Sequence, residues 1–179
     1  MLKVIIMFIA ATIIGCLFHF TYELSHKNKF CAIFSAVNES TWEHIKIGIG
    51  ALVIVFASQL LAYPLSNVVV AAALSIATFI VLVPALFYPI LALMGKHSVV
   101  VSILEFAFAI FASVLLFDTL VQLEYTSTVI AISTIILIAI ILACGLFTFF
   151  PPKFLLFRDT RNGKYGLKAF QKMGHKHHH

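Results

Sequence analysis

The sequence predicts an all-α integral membrane protein with five transmembrane helices, an N-terminus outside the cell and a C-terminus in the cytoplasm. Hydrophobic residues make up 62% of the 179-residue chain, against roughly 45–50% in soluble domains. Charged residues make up only 11%, and the mean hydropathy is +1.08. A chain with so little polar surface does not fold as a soluble globule, and this composition also excludes a disordered protein or a disulfide-rich secreted one.

Five apolar runs are each long enough to cross a hydrocarbon core of about 30 Å. They cover residues 4–22, 45–63, 68–94, 99–123 and 128–150. The runs are continuously apolar rather than alternating, which indicates helices. The third run is long for one straight crossing and contains Pro84 and Pro89, so we expect it to tilt or to kink near Pro84.

The basic residues predict which side of the membrane each connection faces. With five spans, the first and third connections and the C-terminus share one side, and eleven of the twelve Lys and Arg residues lie there. Only Lys3 is on the opposite side. Cytoplasmic connections carry an excess of Lys and Arg, so this side is predicted to be cytoplasmic and the protein to be a multi-pass protein of the cell membrane.

The first predicted cytoplasmic connection collects most of the residues that suit chemistry. His19, Glu23 and His26 are spaced i, i+4, i+7 and would share one face of a continuous helix, which makes them candidate ligands of a divalent metal ion. The second part of the connection is a polar run from Asn38 to Lys46. The candidate catalytic residues are His19, Glu23, Glu43 and His44, and the candidate binding residues are Asn38, Glu39, Trp42, Lys46 and Glu105.

Structural roles are the alternative for the same run. Ser40-Thr41-Trp42-Glu43 matches a capping box, in which Ser40 bonds the Glu43 N–H and Glu43 reaches back to the Ser40 N–H. Trp42 suits a membrane interface. His19 lies within an apolar run and needs a polar partner there, so we expect it to meet the start of the second span, with Glu43 favoured over Glu39 as that partner.

The nine residues from Asn38 to Lys46 also resemble the mark of an uncharacterised family of small bacterial polytopic membrane proteins, a domain of unknown function. Members of that family have Asn-Glu-Ser-x-Trp-Glu-His-x-Lys after a first span that ends in His-Phe-x-Tyr, as at His19-Phe20-Thr21-Tyr22 here. The resemblance continues through Pro151-Pro152, Leu156-Phe157-Arg158-Asp159 and Gly163-Lys164-Tyr165-Gly166, although Thr160 stands where the family often has Pro. It implies a fold and no activity.

Glu105 is the acid whose predicted position in the membrane is most costly. It lies six residues into the fourth apolar run, roughly 9 Å along the helix axis at 1.5 Å per residue. An acid at this depth indicates a functional group facing a polar cavity, and the alternative is a protonated packing residue bonded to Ser102 or His97. Asp118, Gln122 and Gln59 would form a second polar cluster near the outer ends of the helices.

The basic segment 151–179 is predicted to form a cytoplasmic unit that follows the transmembrane domain 1–150. Asn162-Gly163 predicts a turn in it. Its positive charge favours contact with anionic lipids of the inner leaflet over nucleic acid, and folding back over the first connection is the alternative. The terminal residues 175–179 resemble a purification tag and are excluded as ligands.

Three classes of function fit these observations. A membrane-embedded enzyme would act on a lipid-borne substrate at the inner leaflet through the His and Glu residues, with a divalent metal as a candidate cofactor. A small transporter or ligand-binding permease component would use Glu105 as its intramembrane acid. A non-catalytic membrane subunit would use the motif for docking, and a homo-oligomer is compatible with all three. The cluster of His and Glu at one boundary favours the enzyme.

The predicted sidedness is testable by labelling and by fusion. A reporter fused after Lys168 should be active in the cytoplasm, because the segment that carries it is on the basic side. Cysteines introduced at Asn67 or Ser127 should react with an impermeant maleimide from outside the cell. Periplasmic activity of the fusion would overturn the orientation and each sidedness that depends on it.

Overall fold

The computed structural model describes residues 1–96 and 98–170, so His97 and residues 171–179 lie outside the described part. This part contains the α-helices α1 (Leu2–Leu24), α2 (Lys29–Ala32), α3 (Thr41–Ser58), α4 (Leu65–Met94), α5 (Val99–Leu120) and α6 (Ser127–Phe149). A 3-10 helix, Gln59–Leu61, extends α3, and two more, Leu155–Phe157 and Gly166–Ala169, lie in the C-terminal segment.

Five of these helices are long and apolar enough to cross a membrane, as the sequence predicts. They are α1, α3 with its 3-10 extension, α4, α5 and α6. The second span begins four residues earlier than its apolar run, at Thr41, because the side chain of Ser40 caps the polar first turn. The helix α4 continues through Pro84 and Pro89 and ends at Met94, before Gly95, whose φ of 66° is left-handed.

The helices alternate in direction, so that the polar contacts between them gather at two opposite ends. At one end Lys3 of α1 contacts Asp118 of α5 and donates a hydrogen bond to the Tyr63 hydroxyl. At the other end Tyr22 packs on Phe170, so the C-terminal segment lies opposite the N-terminus. Alternate connections therefore lie at opposite ends of the bundle, as the predicted sidedness requires. The orientation of the bundle in the membrane stays a prediction.

The core forms where α3 and α4 pack against α1, α5 and α6. Phe56 of α3 stacks on Phe117 of α5 with ring centroids 3.9 Å apart. At Gly48 of α3 a β-carbon would overlap the fully buried ring of Phe79 on α4. Small residues allow such close approach between membrane helices, where packing rather than water provides the attraction.

We expect Gly48→Ala to destabilise the bundle by about 1–3 kcal/mol, because the added methyl group has to displace the Phe79 ring. Gly145→Ala in α6 is the matched control, since a β-carbon there meets nothing within 4 Å. The thermal unfolding of both variants in one detergent provides the measurement. Equal unfolding temperatures would show that α3 and α4 do not pack this closely.

Candidate functional site

The connection between α1 and α3 folds back along the last turns of α1. Ala36 donates its backbone N–H to the Phe18 carbonyl, with 3.3 Å between nitrogen and oxygen. Asn28 caps the short helix α2 by accepting a hydrogen bond from the Phe30 N–H. This return of the chain brings residue 39 to the last turns of α1, beside His19.

His19, Glu39 and His44 form one cluster at this end of the bundle. Each offers a ligand atom, and the three atoms lie within 4.8 Å of one another. Nε2 of His19 is 3.7 Å from Oε1 of Glu39, and Nε2 of His44 is 3.6 Å from Oε2 of the same carboxylate. The two imidazole rings have centroids 5.5 Å apart. All three side chains are partly buried, with 20–32% of each exposed.

The backbone partner of His44 selects the tautomer of its neutral ring. Its Nδ1 lies 3.0 Å from the Ser40 carbonyl oxygen, which can only accept a hydrogen bond. Nδ1 of a neutral His44 therefore carries the proton, and Nε2 presents a lone pair toward Glu39. Nδ1 of His19 is buried and has no hydrogen-bond partner among the described residues.

Residues of the C-terminal segment hold Glu39 in place. Asp159 is buried, and its Oδ2 accepts the Glu39 N–H at 2.9 Å. The hydroxyl of Thr160 donates to the Glu39 carbonyl at 3.0 Å, and an Arg161 guanidinium nitrogen lies 3.5 Å from Glu39 Oε1. The predicted turn at Asn162-Gly163 is present: Gly163 has a φ of 70° and donates its N–H to the Asp159 carbonyl.

Glu43 is not the partner of His19, contrary to the expectation from the sequence. Its Oε2 accepts the Val37 N–H at 2.9 Å and pairs with Lys46 Nζ at 2.6 Å. Half of the predicted capping box is present, because the Ser40 hydroxyl accepts the Glu43 N–H. The other half is absent, because Ser40 donates its own N–H to Asn38 Oδ1. A buried ammonium one turn away offered Glu43 a stronger partner than a neutral backbone N–H.

The expected shared face of His19, Glu23 and His26 is also absent. The helix α1 ends at Leu24, and His26 and Lys27 have positive φ angles of 54° and 65°. The i, i+7 relation assumes a helix that continues through residue 26, so His26 does not lie above His19. Among the described residues, the potential metal ligands that group with His19 are Glu39 and His44, and the group does not contain Glu23 or His26.

The predicted binding residues Asn38, Trp42 and Lys46 contact neighbouring segments of the chain rather than the cluster. Asn38 donates a hydrogen bond to the Gly166 carbonyl at 3.1 Å. Trp42 is 6% exposed and packs on Phe147 and Phe157, with centroids 5.3 and 5.1 Å apart. The contacts of Asn38 with Gly166 and of Trp42 with Phe157 attach the C-terminal segment to the first connection and to α3. This arrangement corresponds to the alternative in which the segment folds back over the first connection.

Glu105 lines a cavity that two members of the cluster, Glu39 and His44, also line. This cavity has a volume of about 40 Å³ and lies between the cluster and the facing sides of α4 and α5. Its polar walls include Glu39, His44 and Glu105, and its apolar walls include Val83 and Phe87. A larger depression of about 500 Å³ adjoins it and is lined by Phe87, Tyr88, Leu91, Leu155, Arg158 and Arg161, among others.

The sequence analysis did not assign Asp159, Thr160 and Arg161 to the site. Asp159 is the last residue of the Leu-Phe-Arg-Asp stretch that the family resemblance contains, whereas Thr160 and Arg161 follow that stretch. A sequence does not show which loops meet across more than a hundred residues, so these side chains became visible as site residues only in the fold.

The chain belongs to a family of unknown function, DUF6512, whose model matches residues 1–167. No curated protein and no solved structure matches it significantly. The match confirms the family resemblance, while the bacterial origin and the nine-residue motif stay predictions. The activity therefore has to be inferred from the site.

We expect Lys46→Met to destabilise the protein by about 3–5 kcal/mol, because it leaves the Glu43 carboxylate buried without its cation. The variant also removes the hydrogen bonds from Lys46 to the Ala32 carbonyl and to the Thr148 hydroxyl. The double variant Glu43→Gln/Lys46→Met should recover part of the loss, since both charges are gone. Chemical unfolding in detergent measures each change.

Lys29→Met is the matched control for this prediction, because Lys29 lies exposed on the same connection. Its unfolding free energy should change by less than about 0.5 kcal/mol. A Lys46→Met variant as stable as this control would show that the Glu43–Lys46 pair does not stabilise the fold.

Proposed function

We propose that this member of the family is a membrane-embedded enzyme that acts on a lipid-borne substrate with an anionic headgroup, at the cytoplasmic boundary of the cell membrane. The observation that carries the proposal is the shared cavity, which brings Glu39 and His44 from the boundary and Glu105 from α5 to one small space. Acids and imidazoles that converge on a cavity with apolar walls are typical of catalytic sites.

The setting of the cavity supports a lipid-borne substrate. Val83, Phe87 and Phe106 provide apolar walls on α4 and α5, two helices that are long and apolar enough to lie in the bilayer. The polar walls come from the end of the bundle that carries most of the basic residues, which the sequence predicts to be cytoplasmic. A lipid at the inner leaflet would present its chain to the first surface and its headgroup to the second.

The charge of the adjoining depression supports an anionic headgroup. Arg158 and Arg161 both line it together with one acid, Asp159, so its basic side chains outnumber its acidic one. The apolar side chains of Leu91 and Leu155 lie beside them. The planar guanidinium groups of Arg bind phosphate and carboxylate through paired hydrogen bonds. Phe87, Thr41 and Thr160 line both the depression and the small cavity, so a headgroup held by the arginines would lie next to the cluster.

Hydrolysis of the headgroup ester is the reaction that this set of residues suits best. Nε2 of His44, which carries a lone pair, would accept a proton from water. The water oxygen would form a bond to the phosphorus or carbonyl carbon of the ester, and the bond from that atom to the leaving oxygen would break. The acid form of Glu105 would give the leaving oxygen its proton, and solvent would return the proton from His44 to Glu105.

A transporter receives less support from the same geometry. Glu105 shares its cavity with Glu39 and His44 at one end of the bundle. The polar contacts of Lys3, Tyr63 and Asp118 lie at the opposite end, and the stacked rings of Phe56 and Phe117 are part of the apolar core between the two ends. The cavity that Glu105 lines is not lined by Lys3, Tyr63 or Asp118.

The test is turnover by the purified protein in vesicles. We expect the wild type to convert at least one of phosphatidylglycerol, phosphatidic acid and a polyprenyl phosphate, and to leave phosphatidylethanolamine unchanged. Mass spectrometry of the lipids follows the conversion. Glu105→Gln should fold normally and lower kcat by about 10²–10⁴-fold, since the amide keeps the shape of the acid and cannot give up a proton in the same way.

Glu124→Gln is the matched control, because Glu124 is an exposed acid between α5 and α6 at the opposite end. It should keep full turnover. An unchanged lipid pool with folded wild-type protein would count against an enzyme of this class. Turnover that Glu105→Gln leaves intact would remove the role of Glu105.

A further inference from the structure

We infer that His19, Glu39 and His44 bind one divalent transition-metal ion, with Zn²⁺ as the representative. Two imidazoles and one carboxylate are a ligand set that zinc enzymes use, with the fourth position left to water or substrate. The ligand set differs from the one that the sequence suggested, since Glu39 and His44 take the places of Glu23 and His26.

The distances within the cluster suit an ion better than direct hydrogen bonds. The nitrogen-to-oxygen separations of 3.7 Å for His19 and 3.6 Å for His44 exceed the 2.7–3.2 Å or so of an N–H···O bond. Ligands 2.0–2.2 Å from a tetrahedral metal are separated from one another by about 3.3–3.6 Å. The carboxylate of Glu39 therefore stands off from each imidazole by about the edge of such a tetrahedron.

The partners of His44 and Glu39 orient them as ligands. The Ser40 carbonyl accepts the Nδ1 proton of His44 and leaves the Nε2 lone pair facing the Glu39 carboxylate. Two groups that only accept hydrogen bonds in these forms attract a cation between them. Histidine ligands usually donate their second N–H to a carbonyl or a carboxylate in this way. Asp159 holds the Glu39 backbone, which fixes the third ligand from behind.

Arg161 is a neighbour that a bound cation would repel. Its guanidinium nitrogen lies 3.5 Å from Glu39 Oε1, and its side chain is 36% exposed. If the cluster were only an ion-pair network, Arg161 would be one of its members and its loss would have no bearing on metal ions. If the cluster binds a metal, Arg161→Gln should bind Zn²⁺ at least as tightly as the wild type, because repulsion is removed.

The inference rests on the proposed function only for the chemistry of the ion. With the ion bound, the Nε2 lone pair of His44 would be a ligand and could not also accept a proton from water. The open position of the ion would hold the headgroup oxygen or water, and the water would lose its proton to solvent more readily than free water does. The binding itself does not require that the protein be an enzyme. Metal binding and lipid turnover are therefore measured separately.

The experiment titrates Zn²⁺ by calorimetry into the full-length chain with the cluster unchanged. In this protein Ser replaces the four terminal histidines, His175, His177, His178 and His179, so that they cannot contribute. We expect one ion per chain. His19→Gln, Glu39→Gln and His44→Gln should each weaken the affinity by about 100-fold or more, since removing even an indirect partner costs 10–100-fold. Elemental analysis after dialysis checks the stoichiometry.

His26→Gln and Glu124→Gln are the matched controls, because each removes the same kind of group from outside the cluster. Both should bind Zn²⁺ like the wild type. Size-exclusion elution and thermal unfolding identify any variant that does not fold, and three separate ligand variants keep the test decisive if one is lost. The isosteric Glu39→Gln is the variant with the smallest structural change.

Two results would overturn the metal site. One is the absence of stoichiometric Zn²⁺ in the tail-substituted protein, and the other is an affinity for Zn²⁺ in all three folded ligand variants that equals that of the wild-type site. Lipid turnover that persists in the presence of a chelator, with no bound metal, would remove the ion and leave the proposed function. Stoichiometric Zn²⁺ that depends on the three ligands, without turnover of any lipid, would keep the ion and remove the enzyme.

Discussion

The buried pair between Glu43 and Lys46 is the interaction on which this end of the molecule depends. Both side chains are at most 2% exposed, so each charge has to be compensated inside the protein. Lys46 does this with three partners, Glu43, the Ala32 carbonyl and the Thr148 hydroxyl. These partners come from α3, from the first connection and from α6. Satisfying one buried ammonium therefore joins three parts of the chain that are far apart in sequence.

The chemistry of the cluster follows from this constraint. Because Glu43 is committed to Lys46 and to the Val37 N–H, it is not available to His19, and the connection is held in a path that presents Glu39 instead. One of two neighbouring acids thus provides structure and the other provides a carboxylate that faces His19. A buried imidazole needs a polar partner, and this rule correctly predicted that His19 meets the start of the second span. The partner is Glu39 rather than Glu43, because Glu43 pairs with Lys46.

The fold was predictable to a greater extent than the site, for physical reasons. A bilayer imposes length and apolarity on each span, so five runs in the sequence gave five helices with ends within four residues. The turn at Gly163 was predictable because few residues accept a positive φ. The end of α1 before His26 was not, because no Gly or Pro marks it. The roles of Asp159 and Arg161 depend on packing between distant segments, which periodicity does not encode.

The C-terminal segment contributes side chains to the site. Asp159 fixes the backbone of Glu39, Arg161 lies against its carboxylate, and Asn38 bonds the Gly166 carbonyl in turn. The hydrophobic contacts of Trp42 with Phe157 and of Tyr22 with Phe170 hold the same segment to α3 and α1. The C-terminal segment thus contacts the one acid of the cluster as well as α1 and α3. A displacement of residues 159–161 would act directly on Glu39, because Asp159 and Thr160 bond its backbone and Arg161 lies against its carboxylate. The packing of this segment is therefore coupled to the position of Glu39 relative to the two imidazoles.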